Sequence, residues 1–232
     1  MLIVPEEEVY IDKEDQDGYK SIGIVTEKLD ICIQKYKQEN FNGIFGHPNF
    51  GFKNEDFGFI KDFKEAKRIW FWDINVSDVS GLYTLENPEY FGVMGKRPML
   101  DFFHFASLKT LVLEWNSKDR NLQTCKNLEL FNLWNHKPKE KSFINFNFPN
   151  AAKEVGLYWT NIEDLTTMNG LRGLNKISIE RSRNLKSLRG LEKYSNSLES
   201  IFIDTCGKLT DYTFVLEFPN LKSATINRVK LK

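Results

Sequence analysis

The chain has few histidines, few cysteines and no excess charge of either sign. Its 232 residues include three histidines and three cysteines, and Lys+Arg and Asp+Glu are both 32, which gives zero formal net charge. Three widely spaced cysteines, Cys32, Cys125 and Cys206, form no recognisable disulfide framework and suit a reducing compartment. A neutral chain is not expected to bind nucleic acid or anionic membranes through general electrostatic attraction.

Signals for export, membrane insertion and catalysis are missing as well. The first residues have no basic segment, and no apolar run is long enough to cross a bilayer. His47, His104 and His136 lack metal-ligand spacing among themselves and with any cysteine. Neither a glycine-rich phosphate loop nor a Gly-x-Ser-x-Gly turn occurs. We therefore expect a cytoplasmic protein that is not an enzyme and uses no metal or cofactor.

What the chain does contain is a repeated apolar pattern. The spacing apolar-x-x-apolar-x-apolar recurs with first positions 20 to 24 residues apart. The alternation predicts a short strand, and the three- and four-residue spacing that follows suits a helical or 3₁₀ return. One such unit cannot bury its apolar face alone, so neighbouring units must stack. The units begin at Ala66, Pro88, Leu108, Leu128, Ala152, Leu174, Leu198 and Leu221.

This pattern resembles the leucine-rich repeat family, whose units run about 20 to 29 residues. The second half is similar to the short, irregular bacterial type of repeat. Asn116 occupies the family's asparagine position, and other units replace it with His136, Thr160, Ser182 and Cys206. The best-matching stretch places these residues on the family's inward positions: Ile162, Leu165, Met168, Leu171, Leu174, Ile177 and Ile179.

The resemblance implies an α/β fold, a leucine-rich-repeat solenoid. Such a solenoid has a curved parallel sheet on its concave face and short helical, 3₁₀ or irregular segments on its convex face. We expect about eight to nine units in residues 41–232 and an N-terminal α/β capping segment in residues 1–40. Within that segment, 21–25 is predicted as a strand and 27–38 as an amphipathic helix. The alternative is an ordinary α/β domain whose spacing arises by chance.

All five tryptophans fall at positions that this register turns away from the core. Exposed aromatic clusters mark interaction sites, so we predict a partner-binding surface on the concave side. The alternative is that the aromatic rings pack against one another across strands and bind nothing. The predicted contact residues are Arg68, Trp70, Trp72, Tyr90, Met94, Glu114, Trp115, Trp134, Glu154, Tyr158, Trp159, Glu180, Phe202 and Asp204.

The resemblance implies a protein-binding module, because family members generally present the concave sheet to a protein ligand. Aromatic anchors beside carboxylates suit a partner with basic and apolar groups, and one fitting role is a bacterial immunity protein that covers a basic toxin domain. The alternative is a glycan or small-ligand binder that uses Trp70, Trp72 and Trp134 as platforms. A hydrolase with Glu114 and Glu154 as paired acids is disfavoured, because an open sheet does not raise a pKa by burial. The pattern sets no oligomeric state.

Overall fold

The computed structural model describes residues 2–6, 8–13 and 18–232. This part of the chain has an α/β fold with one α-helix, α1 (Leu29–Gln38), and most of its strand pairs are parallel. The strands are β1 (Ile3–Glu6), β2 (Val9–Asp12), β3 (Ser21–Gly23), β4 (Gly43–Gly46), β5 (Arg68–Asn75), β6 (Tyr90–Lys96), β7 (Thr110–Glu114), β8 (Leu130–Trp134), β9 (Glu154–Tyr158), β10 (Lys176–Glu180), β11 (Ser200–Asp204), β12 (Ser223–Ile226) and β13 (Val229–Lys230).

Short 3₁₀ helices occupy many of the returns between strands. This confirms the expectation of short helical or 3₁₀ returns for those segments, whereas the returns after β8 and β9 contain no 3₁₀ helix. No helix among the described residues has the length and apolar character needed to cross a membrane. The 3₁₀ helices are Thr26–Lys28, Pro48–Phe50, Gly58–Phe63, Ser80–Thr84, Phe102–His104, Leu122–Thr124, Glu192–Tyr194 and Thr213–Glu217.

The chain divides into two compact units, and the boundary falls within β7. Unit 1 comprises Met1–Leu111 and Lys118–Arg120, and unit 2 comprises Val112–Ser117 and Asn121–Lys232. The boundary expected between residues 40 and 41 therefore lies inside unit 1, where β3 pairs in parallel with β4. Within the predicted capping segment, residues 1, 7 and 14–17 lie outside the described residues.

In unit 1, β1, β2 and β3 are antiparallel, and β3 to β6 pair in parallel in the order of the chain. The predicted helix begins two residues late, because Thr26–Lys28 forms a 3₁₀ turn before α1. Within that turn, Thr26 Oγ1 accepts a hydrogen bond of 2.7 Å from the Lys53 amide. Pro5 lies in β1, where its missing N–H discourages pairing with another chain.

In unit 2, β8 to β12 pair in parallel and in register. β12 then turns back on β13 through Asn227 and Arg228, which both have positive φ, as a two-residue type I′ hairpin requires. The residue directly after each of β8 to β11 also has positive φ. These residues are Asn135 (57°), Trp159 (53°), Arg181 (55°) and Thr205 (55°).

The apolar residues predicted to point inward form the core. All seven inward positions of the best-matching stretch are buried, and so is every first, fourth and sixth position of the eight units. The family's asparagine position is filled by unlike residues, as the sequence indicates. Thr160 and Ser182 are buried there and join through a 2.8 Å hydrogen bond between their hydroxyls.

Candidate binding surface

Two of the predicted contact residues stack on the outer face of the unit 2 sheet. The parallel register places Trp134 of β8 opposite Tyr158 of β9, and their rings stack with centroids 4.5 Å apart at 21°. Trp159 contacts Trp134 at 5.0 Å. The buried Trp134 Nε1–H has no acceptor among the described residues, a cost that ring packing must offset. We call Trp134, Tyr158 and Trp159 the unit 2 aromatic cluster.

Gly156 explains how the Tyr158 ring reaches this position. A Cβ at Gly156 would lie 2.6 Å from Tyr158 Cε2 and also overlap the side-chain oxygen of Asn132. The glycine therefore leaves space over the sheet that the Tyr158 ring fills. This is a close approach that only the smallest residue permits.

Trp159 is the most exposed of the five tryptophans, with 37% of its surface accessible. Its φ of 53° is uncommon for a bulky side chain, since the left-handed region costs about 1 kcal/mol or more for residues other than glycine. The Arg181 guanidinium lies 4.8 Å from the Trp159 ring centroid. The indole is thus placed at the strand end by backbone geometry and not by burial.

Glu180 brings an uncompensated carboxylate beside this cluster. The register places it between Tyr158 on β9 and Asp204 on β11, and among the described residues its carboxylate has no ion-pair partner. Burial, followed by the charge of Glu180, raises the pKa of Tyr158. Asp204 is better compensated, since it accepts from the Thr205 hydroxyl at 2.8 Å and lies 3.6 Å from Arg228 Nε.

The remaining predicted contact residues of unit 2 are more engaged or lie apart. Glu154 pairs with Lys176 at 3.3 Å, and Glu114 accepts from Asn135 Nδ2 at 2.8 Å. Phe202 is 40% exposed on the same outer face. Trp115 differs from the others, because it is half-buried and contacts two buried rings, at 4.5 Å from His136 and 5.2 Å from Phe146.

His136, which the sequence pattern places at the position equivalent to Asn116, lies in the interior of unit 2. It is 2% exposed and stacks on Phe143 at 5.0 Å and 10°, and among the described residues neither ring nitrogen makes a well-formed hydrogen bond. Burial lowers the pKa of His136 to about 4, and the backbone of Ser142 acts weakly in the opposite direction. The ring is therefore neutral at ordinary pH and serves as an aromatic core residue.

In unit 1, Trp70, Trp72 and Tyr90, which we call the unit 1 aromatic cluster, also lie together. The Trp70 and Trp72 rings stack at 5.7 Å, and Tyr90 meets Trp70 edge-on at 6.1 Å. Trp72 also stacks on Phe45 at 6.3 Å and contacts His47 at 4.8 Å. Because Phe45 is fully buried, this cluster is packed against the interior of unit 1.

Arg68, predicted as a partner contact, is held inside unit 1. Its Nη1 donates to Asp12 Oδ2 at 3.0 Å and to Ser21 Oγ at 3.1 Å, and the guanidinium lies 5.1 Å from the Tyr90 ring centroid. The Asp12 side chain is 1% exposed. This ion pair therefore has a structural role, and only the half-exposed Met94 completes the predicted set in unit 1.

The sequence pattern does not identify the residues that cover Phe45, the buried ring on which Trp72 of the unit 1 cluster stacks. The register pairs Phe45 with Trp70, so Phe45 lies on the outer face of the sheet and is nevertheless buried. Phe50 covers it, with ring centroids 6.2 Å from Phe45 and 5.1 Å from Tyr10. Extending the repeat register back to β4 would have placed Phe45 beside Trp70, but no local pattern identifies Tyr10 and Phe50 as its cover.

The described residues contain no cluster of three or more His, Cys, Asp or Glu side chains arranged to hold a metal ion. No protein-family model and no curated protein matches the chain. The candidate site therefore depends on its geometry alone. Its most accessible rings are those of Trp159 and Phe202, and beside the unit 2 aromatic cluster the Glu180 carboxylate has no ion-pair partner among the described residues.

Proposed function

We propose that this chain is a non-enzymatic protein-binding module of the leucine-rich-repeat type, and that a partner contacts the outer face of the unit 2 sheet. The observation that carries the proposal is the placement of Glu180 next to Tyr158, with no cation of the described residues paired to it. Like charges opposite each other on neighbouring strands are unfavourable, and Glu180 faces Asp204 in this way. A cationic group from a partner would relieve that repulsion.

The adjoining rings supply the apolar part of such a contact. Trp159 and Phe202 are exposed, and Trp134 and Tyr158 form a stacked base that needs little ordering on binding. Tryptophan and tyrosine are enriched among interface hot spots, where truncation to alanine costs about 2 kcal/mol or more. The surface therefore fits a protein that presents an arginine or lysine together with apolar side chains.

Glycan binding is less well supported by the same geometry. A sugar stacks on a free ring face, whereas Trp134 already stacks on Tyr158, and Trp70 already stacks on Trp72. The Arg181 guanidinium also lies over the Trp159 ring. The rings favour a larger partner that contacts their edges and the neighbouring carboxylate.

A bacterial immunity protein is the specific role that we favour within this class. A toxin domain that binds or cleaves nucleic acid is usually basic, which matches a carboxylate without a cation beside apolar anchors. Such a partner would be covered by the sheet face, without any chemical step. The role rests on the match between the charge and apolar anchors of this surface and those expected of such a domain.

The test is affinity capture from the source organism with three proteins: the wild type, a double variant Trp159→Ala/Glu180→Lys, and a control Ile144→Ala/Glu140→Lys. The control makes the same charge change at exposed residues of the segment between β8 and β9. A protein that the wild type and the control retain and the double variant loses supports the proposal. Its binding is then measured by calorimetry, with a glycan panel in parallel. Equal retention by all three, or binding of glycans only, contradicts it.

A further inference from the structure

A second site lies at the strand ends of unit 2, in a shallow pocket of about 670 Å³. Arg183 and Lys208 line it from the returns after β10 and β11, and Arg228 lines it from the turn between β12 and β13. The lining also includes Asp204 and Gly207. The volume falls in the range of small-ligand pockets, which run from about 300 to 1,000 Å³.

The charge of this pocket differs from that of the whole chain. Three cations, Arg183, Lys208 and Arg228, face one carboxylate, Asp204, so the lining carries a net charge of +2, whereas the chain as a whole is neutral. Lys208 Nζ contacts the neutral Asn184 Oδ1 at 3.1 Å. Among the described residues, no carboxylate pairs with Arg183 or Lys208.

The single carboxylate does not neutralise the pocket. Asp204 accepts a 2.8 Å hydrogen bond from the Thr205 hydroxyl, and its distance to Arg228 Nε is 3.6 Å. The Arg228 side chain is 87% exposed in that pair, so solvent weakens the attraction. Most of the guanidinium's donors therefore remain available.

The backbone geometry fixes the segments that carry the cations. Thr205 has a φ of 55°, and the left-handed pair Asn227 and Arg228 forms the tight hairpin turn that carries the third cation. Asn227 also accepts from the Cys206 amide at 2.9 Å and donates to the Cys206 carbonyl at 3.2 Å. These bonds join the turn to the neighbouring return, so two sides of the pocket are held together.

We propose that this pocket binds a small organic molecule through a phosphate monoester group. Guanidinium groups present paired N–H donors that match the oxygens of phosphate, and an ammonium group adds a third charge. The volume exceeds what a phosphate ion alone would fill, which leaves room for the organic part. Of the residues predicted to contact a protein partner, only Asp204 lines this pocket, so the site is separate from the unit 2 aromatic cluster.

The test uses ¹⁵N–¹H spectra of the full chain titrated with inorganic phosphate, with phenyl phosphate and, at matched ionic strength, with potassium chloride. We expect saturable shifts of the Thr205, Gly207 and Lys208 amides with both phosphates, and tighter binding of the ester. Arg183→Gln/Lys208→Gln should weaken binding about tenfold or more. Arg172→Gln/Lys126→Gln removes the same charge at exposed residues outside the pocket lining and should leave it unchanged.

A second variant tests the pocket without removing any of its cations. A Cβ at Gly207 meets no atom within 4 Å, so Gly207→Asp fits without a clash and adds a carboxylate to the pocket. It should abolish phosphate binding while the remaining spectrum stays unchanged. Stronger binding of inorganic phosphate than of the ester would assign the site to free phosphate and overturn the organic ligand. Shifts that do not saturate, that chloride reproduces or that persist in both pocket variants would overturn the site.

Discussion

The two units use the same type of residue, an outward-facing aromatic, for different purposes. In unit 1, Trp72 stacks on the fully buried Phe45, and Arg68 is neutralised by Asp12. In unit 2, Trp159 is exposed in a left-handed conformation, and Glu180 has no cation paired to it among the described residues. Outward direction from a strand is therefore not equivalent to availability for a partner. Phe45 shows this most clearly, because it lies on the outer face and is buried under Phe50.

The largest expected difference between the units concerns buried charge. Arg68→Met leaves the Asp12 carboxylate buried without its cation, which should lower the free energy of unfolding by about 3 to 5 kcal/mol. Glu180→Gln in unit 2 removes a charge that has no ion-pair partner among the described residues and should change stability little. Urea denaturation of both variants measures this. The double variant Asp12→Leu/Arg68→Met should recover most of the loss, and equal effects of the two single variants would remove the distinction.

Truncating one tryptophan in unit 1 should be nearly as damaging. Trp72→Ala removes contacts with Phe45, His47 and Trp70, and the expected cost is about 3 kcal/mol. The indole packs on a buried ring, so the loss includes both burial and a cavity. Thermal unfolding followed by circular dichroism measures the effect, with Met94→Ala as a control for a half-exposed residue on the neighbouring strand. A melting temperature equal to that of the wild type would show that the unit 1 cluster is not structural.

The buried histidine of unit 2 should make stability depend on pH. The pKa of His136 is about 4 in the folded state against an ordinary 6.5, so the unfolded chain binds the proton more tightly. Above pH 6.5 the neutral ring costs no stability. As the pH falls from 6.5 toward 4, the free energy of unfolding should decrease by about 3 kcal/mol because of this group. His136→Phe keeps the stack on Phe143 and removes the proton site. Urea denaturation between pH 4 and 7 should show a flatter dependence for this variant, and parallel curves would contradict the assignment.

A smaller effect tests how the unit 2 cluster is built. Gly156→Ala places a methyl group against the Tyr158 ring and the Asn132 side chain, which should displace the ring at a cost of about 1 to 3 kcal/mol. The stack with Trp134 should be disturbed, and near-ultraviolet circular dichroism reports on that ring environment. Gly173→Ala is the control, because its Cβ meets no atom within 4 Å. An unchanged near-ultraviolet spectrum would mean that Gly156 does not position the cluster.

The smallest effect separates exposure from packing. Trp159→Gly removes an exposed indole from a left-handed position, where glycine has no steric penalty. The relief of about 1 kcal/mol should roughly offset the lost contacts with Trp134, so stability changes little. Differential scanning calorimetry compares the melting temperature of this variant with that of the wild type. A drop as large as that of Trp72→Ala would make the two tryptophans equivalent and the comparison between the units invalid.

The core was predictable from the sequence because alternation along a strand has a period of two. Ile177 and Ile179 are buried and Ser178 is half-exposed, as the repeat spacing indicates. The pairing of β3 with β4 was not predictable, because strand 21–25 belonged to a segment without the repeat pattern, which offers no register to extend.

The candidate site was predictable only in part. The register turned Trp134, Tyr158 and Glu180 outward, and the structure places them side by side in that order. The repeat register did not reveal that Asp12 neutralises Arg68. These residues are 56 positions apart, and their contact depends on packing between β2 and the face of β5. The register also did not show that the Glu180 carboxylate has no ion-pair partner among the described residues, because ion pairing depends on how far side chains reach across strands.

Calorimetric titration of a captured protein partner against the wild type and against Trp159→Ala, Glu180→Gln and Trp70→Ala tests the central claim most directly. The first two changes should weaken binding by about tenfold or more each, because they remove an exposed anchor and the carboxylate without a cation. Trp70→Ala should leave the affinity of the folded fraction unchanged. Full affinity in both unit 2 variants, with loss only in Trp70→Ala, would contradict the assignment of the binding face to unit 2.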